Sequence, residues 1–107
     1  MIRDPKEKRR FVRVDLSCKI VVYAPAKHEI LTHTENIGEG GVKVVIDEKL
    51  ETLSIVGLEL YLAEEPIVCQ GRVVWVLEQQ NRFDTGIEFY DIKNPDDKII
   101  KNFIEAI

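Results

Sequence analysis

Three arginines stand near the start of the chain, Arg9, Arg10 and Arg13, within the stretch RRFVR. A guanidinium is a planar fork. It makes two parallel hydrogen bonds to a phosphate or to the O6/N7 edge of guanine, and its flat face stacks on a purine. Arg9 and Arg13 are four residues apart. On a straight strand they share a side and lie roughly 13 Å apart, at about 3.3 Å per residue. In a turn or helical kink they come within about 6 Å. Arg10 points elsewhere in either case. The second stretch is Asn36-Ile37-Gly38-Glu39-Gly40-Gly41. Glycine supplies positive φ and lets a ligand approach the backbone closely. Backbone N–H groups exposed in such a turn form anion-binding nests, and the Asn36 amide offers one acceptor and two donors, enough to read a base edge. Taken singly, each stretch has an ordinary explanation: a solvated basic tail, and a hairpin turn whose glycines serve φ alone.

Charge separates the first stretch from the rest. The 107 residues carry a net charge of −4. Residues 1–13 hold six cationic side chains against Asp4 and Glu7, a surplus of four positive charges, so the remainder carries −8. A basic arm on an acidic body suits an anionic partner that meets the arm locally. It does not suit a nucleic-acid polymer, which needs phosphate contacts over a wide surface.

Other residues with chemical potential carry less. Cys18 and Cys69 each lie in an apolar run and read as free thiols packing as small hydrophobes. His28 and His33 flank EILT, and two histidines five apart in a strand face opposite ways, so no shared metal site is expected. No serine, cysteine or carboxylate stands beside a histidine in a hydrolase-like pattern. There is no P-loop and no dinucleotide fingerprint, so an enzyme is not expected. Arg72 and Arg82 read as surface charges. Trp75 shares parity with Ile67, Cys69 and Val73, which places it in the core or under a helix, with a stacking platform for a guanine as the functional alternative.

The elements that must position these residues follow from periodicity. Val14, Leu16, Cys18, Ile20 and Val22 alternate with polar residues, giving a half-buried strand. APAKHE is a loop because Pro25 cannot donate to a ladder. Residues 29–37 form a second strand of weaker pattern, GEGG turns the chain, and Val42, Val44 and Ile46 mark a third. Residues 47–54 are a polar connection. Leu58, Leu60 and Leu62 mark a fourth strand. Residues 67–77 form a long fifth one with Gly71 near its middle, where a bulge or bend is expected. Residues 85–90 form a sixth. The period then changes. Asn94 suits an N-cap and Pro95 the first helical position, and Ile99, Ile100, Phe103, Ile104 and Ile107 form one helical stripe, a core face or a partner surface. Six strands at roughly ten-residue spacing followed by one helix predict an all-β fold: a small six-stranded antiparallel barrel with a C-terminal helix. The expected organisation is a basic arm over residues 1–12 and a barrel domain over 13–107. The apolar runs are too short to span a bilayer and no apolar leader follows Met1. The reading is a cytoplasmic protein, or the soluble module of a larger one.

Together the two stretches are more specific than either alone. An RxxxR motif, filled by Arg9 and Arg13, precedes by some twenty residues a (D/N)xSxxG-like motif filled by Asn36 to Gly41. This resembles the PilZ domain, a bacterial receptor module for cyclic di-GMP. GVKVVID, GLELYL, GRVVWV and DTGIEFYDI stand in the order and spacing of that family's strands, so the resemblance runs through nearly the whole chain. It implies a β-barrel with a C-terminal helix, and cyclic di-GMP as ligand with no further cofactor. It also implies roles: Arg9 and Arg13 on phosphates and guanine edges, Arg10 auxiliary, Asn36 on a guanine, Gly41 holding the turn. One position departs, because Gly38 stands where the motif has serine. The missing hydroxyl is worth about 0.5–1.5 kcal/mol as a neutral hydrogen bond, which weakens such a site without abolishing it. The receptor reading needs a partner protein or fused domain that reads the bound state. A domain of this fold without its ligand would act as a protein-interaction module in motility or exopolysaccharide machinery. A small barrel binding single-stranded nucleic acid through its arm is the third reading, disfavoured by the acidic body and single tryptophan.

Overall fold

In a computed structural model the chain is described over residues 13–62, 64–92 and 96–106. Seven strands precede one helix: β1 (Arg13–Val14), β2 (Lys19–Tyr23), β3 (Glu29–Gly38), β4 (Gly41–Ile46), β5 (Ile55–Leu60), β6 (Ile67–Gln79), β7 (Arg82–Asp91) and α1 (Asp96–Ala106). Every pairing is antiparallel. β3, β2, β5, β6, β7 and β4 pair in that order, and β4 returns to β3, which closes the six-stranded barrel. β1 is a short addition on β3. Closure removes most of the open edge that a flat sheet of this size would have to protect, and among the described residues β6 beyond Val73 pairs with β7 alone.

Alternation fills the barrel. Ile20 and Val22 from β2, Leu58 and Leu60 from β5, Val42 and Val44 from β4, and Val73 and Ile87 from β6 and β7 are fully or almost fully buried. Each such side chain contributes about 1.5–3 kcal/mol of transfer free energy. α1 packs against β3 and puts Ile100 and Ile104 into the same core. Its buried stripe is narrower than expected, since Ile99 remains 37% exposed. The proposed cap, Asn94 and Pro95, and the last stripe residue, Ile107, lie outside the described residues.

The departures from simple alternation position the site. The first strand, expected to run unbroken from Val14 to Val22, is interrupted over residues 15–18. Val14 faces Ile37 and Lys19 faces His33. The first strand therefore spends five steps where β3 spends four, and one extra residue must be accommodated. β3 carries its own irregularity. Thr34 faces Val44 but Asn36 faces Lys43, so Glu35 is the additional residue. Ile30, Thr32 and Thr34 lie inward before it and Ile37 after it, which is why the pattern of this strand looked weak. In β6, Val73 faces Ile87 and Trp75 faces Gly86, so Val74 is extra. The register also shifts at Gly71, as its mid-strand glycine suggested, although the surplus residue is Tyr90 on the facing β7.

Candidate functional site

The two stretches meet. β1 sets Arg13 opposite Gly38, and Arg13 Nε donates a 2.9 Å hydrogen bond to Asn36 Oδ1. Asn36 lies two residues from Gly38, on the face that Arg13 shares. The bond orients the guanidinium plane and turns the Asn36 NH2 group away from Arg13, where it can donate to a base. Arg9 and Arg10 lie outside the described residues.

Gly41 of the turn serves space rather than φ. No described glycine has positive φ, which corrects the expectation of a left-handed turn. At Gly41 a Cβ would collide with the Ile87 carbonyl oxygen and come within 2.8 Å of Glu88 Cα. The backbone of β4 thus presses on β7, and the Gly40 carbonyl accepts a 2.8 Å hydrogen bond from Phe89 N–H. Gly38 is buried.

β6 and β7 supply the facing wall. Trp75, expected in the core, is 41% exposed. The extra residue Val74 reverses the parity, so Val73 points in and the indole points out. The ring rests on Gly86, where any Cβ would overlap the indole Nε1 and Cε2 atoms. A strand glycine of this kind marks close approach, and that signal was present in DTGIEF, although sequence reading did not connect it to Trp75. Between the walls is a cleft of about 60 Å³, lined by Arg13, Gly40, Gly41, Trp75, Gly86 and Glu88, among others. That is far below the roughly 300–1,000 Å³ of ordinary small-molecule pockets. A larger ligand must lie across the cleft, on the exposed indole, rather than inside it.

The neighbouring charges are balanced. Glu88 stands 4.0 Å from Arg72 Nη1, and the Arg72 guanidinium lies 4.7 Å over the Tyr90 ring. The cleft's carboxylate therefore does not oppose an anion alone. Burial pushes the Cys18 thiol pKa up, partly offset by a hydrogen bond with Thr34, so it stays a packing thiol. Cys69 is buried. His28 lies apart from the cleft, 2.7 Å from Glu48. Among the described residues no group of histidine, cysteine and carboxylate side chains could hold a metal, and no helix is long and apolar enough to cross a membrane.

The PilZ domain profile matches residues 7–106. The chain belongs to the PilZ domain family. Its barrel superposes on solved structures at low sequence identity. The Bacillus subtilis inhibitor of motility, MotI/DgrA, aligns with a TM-score of 0.80 at 21% identity, over 92% of this chain and 50% of that one. YcgR from Escherichia coli, solved in complex with cyclic di-GMP, aligns with a TM-score of 0.78 at 10% identity, over 94% and 46%. The PilZ domain of CeSA from a cellulose-synthesizing bacterium aligns with a TM-score of 0.66 at 14% identity, over 89% and 96%. This PilZ domain spans about half the length of the first two. No curated protein sequence matches it.

Proposed function

We propose that this PilZ domain is a cyclic di-GMP receptor that signals by ordering its N-terminal arginine arm. The observation that carries the reading is the Arg13–Asn36 hydrogen bond, which joins the arginine motif to the glycine motif in one site. The site offers what the ligand needs: guanidinium for phosphate and guanine edges, an amide for a base edge, and an exposed indole for a purine face. YcgR, a structural neighbour, was solved with this ligand. Arg9 and Arg10 enter as the second half of the clamp, drawn onto the barrel beside Arg13, Asn36, Gly38 and Gly41 when ligand binds. This is an order–disorder switch of a segment. A partner protein or fused domain reads the reoriented arm, with motility or exopolysaccharide synthesis as the output in the cytoplasm.

Calorimetric titration of the purified chain with cyclic di-GMP tests the reading, with GTP and cyclic di-AMP as controls. Selective binding that is lost in Arg13→Ala supports it. Absence of heat up to high ligand concentration sinks it. Gly38 favours one second reading, a barrel that has lost its ligand and serves as a protein-interaction module. The same null titration is its signature.

A further inference from the structure

The extra residue in the first strand creates a problem that one side chain answers. Between Val14 and Lys19 the backbone has one residue more than β3 can pair. The Leu16 carbonyl and the Cys18 N–H are left without ladder partners at a partly buried position. Thr34, only 1% exposed, takes both. Its hydroxyl donates to Leu16 O at 2.6 Å and accepts from Cys18 N at 3.0 Å. Its own backbone N–H donates to Cys18 O at 2.9 Å. Cys18 Sγ lies 3.6 Å from the same hydroxyl.

The location matters because register decides which residues meet. The first strand keeps its alternation through the break, with Val14, Leu16 and Cys18 all packed against the core, whereas β3 changes parity at Glu35. The extra residue matches the two strands and sets inward Val14 opposite inward Ile37. If β2's pairing continued without it, Arg13 would stand opposite Glu39, one residue further from Asn36. With the extra residue held, Arg13 faces Gly38 and reaches Asn36. Thr34 also borders β3's own irregularity, the Glu35 insertion that precedes Asn36.

We infer that Thr34 is the positioning residue of this site: its buried hydroxyl locks the surplus residue of the first strand, and so sets Arg13 opposite Gly38, within reach of Asn36. It touches no ligand and acts through Arg13. The effect on affinity rests on the receptor reading; the effect on Arg13 does not.

The test compares Thr34→Val, which keeps the shape and removes the hydroxyl, with Thr34→Ser, which keeps the hydroxyl. The first readout is solvent exchange of the Arg13 Nε–H by NMR, without ligand. The second is cyclic di-GMP titration. In wild type and Thr34→Ser the Arg13 Nε–H should be protected. In Thr34→Val it should exchange at least about tenfold faster and cyclic di-GMP should bind about tenfold more weakly, while core amides such as Val22 stay protected. Equal Arg13 protection in Thr34→Val and wild type overturns the inference. Should Thr34→Val fail to fold, native-state exchange of the wild type decides. The Cys18 amide and the Arg13 Nε–H should then open together, and an Arg13 Nε–H that opens much faster than Cys18 overturns the inference. A wild type that binds no cyclic di-GMP defeats the receptor reading, and the exchange measurements still decide the role of Thr34.

Discussion

Two hollows on this barrel invite comparison, and the larger is the poorer candidate. Where β3 and β4 diverge, a groove of about 270 Å³ opens between Glu29–Thr32 on one side and Val45–Glu48 on the other, with His28 and Arg82 at its margin. Its charges answer one another. His28 bonds both carboxylate oxygens of Glu48, at 2.7 and 2.9 Å, and Arg82 Nε lies 3.8 Å from Asp47. Thr32 spends its hydroxyl on Val45 O. The second hollow, beside Arg13, is only about 60 Å³. It is lined by the Arg13 guanidinium, which the Asn36 amide holds from beside it, and by the exposed Trp75 indole. Volume measures how far strands splay. Recognition depends on donors, acceptors and ring faces held in place for a ligand, and these sit at the smaller hollow.

The comparison can be broken by substitution. Arg13→Ala removes the charged contact and should cost about 1.5–3 kcal/mol of cyclic di-GMP affinity, as hydrogen bonds to charged groups do. A titration giving wild-type affinity would remove the cleft from consideration. Trp75→Ala should cost about 1 kcal/mol through lost ring stacking. Gly86→Ala should cost a similar amount with the indole still present, because the added methyl displaces the ring, and Trp75 fluorescence should shift in the free protein. If Gly86→Ala moved the fluorescence and left affinity intact, the indole would not be part of the site.

Gly38→Ser sharpens the comparison in the other direction. It restores the motif hydroxyl opposite Arg13 and should tighten binding by up to about 1 kcal/mol. Weaker binding would mean that this buried position has no room for the side chain. His28→Ala and Arg82→Ala should change affinity by less than about twofold, since exposed pairs of this kind contribute little even to stability. A larger loss there than in Arg13→Ala would reverse the assignment of the two hollows.

Much of the barrel was legible because alternation is a local signal. Ile20 and Val22, Val42 and Val44, and Leu58 and Leu60 sit inward as their spacing predicts. The partnership of Arg13 with Asn36 was legible as a motif, though nothing local states that the two side chains touch. Trp75 was misplaced for a definite reason. Parity counted from Ile67 through Val73 points it inward, and one extra residue at Val74 reverses the count. Bulges carry no obligatory residue type, so counting along a single strand misses them. Two glycines show the same dependence on distant strands. Gly41 and Gly86 exist for the atoms pressed against them, the Ile87 carbonyl and the Trp75 indole, and those atoms belong to strands distant in sequence.

By itself, the sequence determined the class of fold, the closing helix, the basic start on an acidic body and the two motifs, because side-chain type and period are properties of neighbouring residues. Tertiary structure alone decided that the first strand breaks and resumes one residue out of step, that Trp75 faces solvent on Gly86, and that Thr34 binds the break. Each of these depends on the register between strands. Register is set by the closure of the whole barrel, which no single stretch of chain contains.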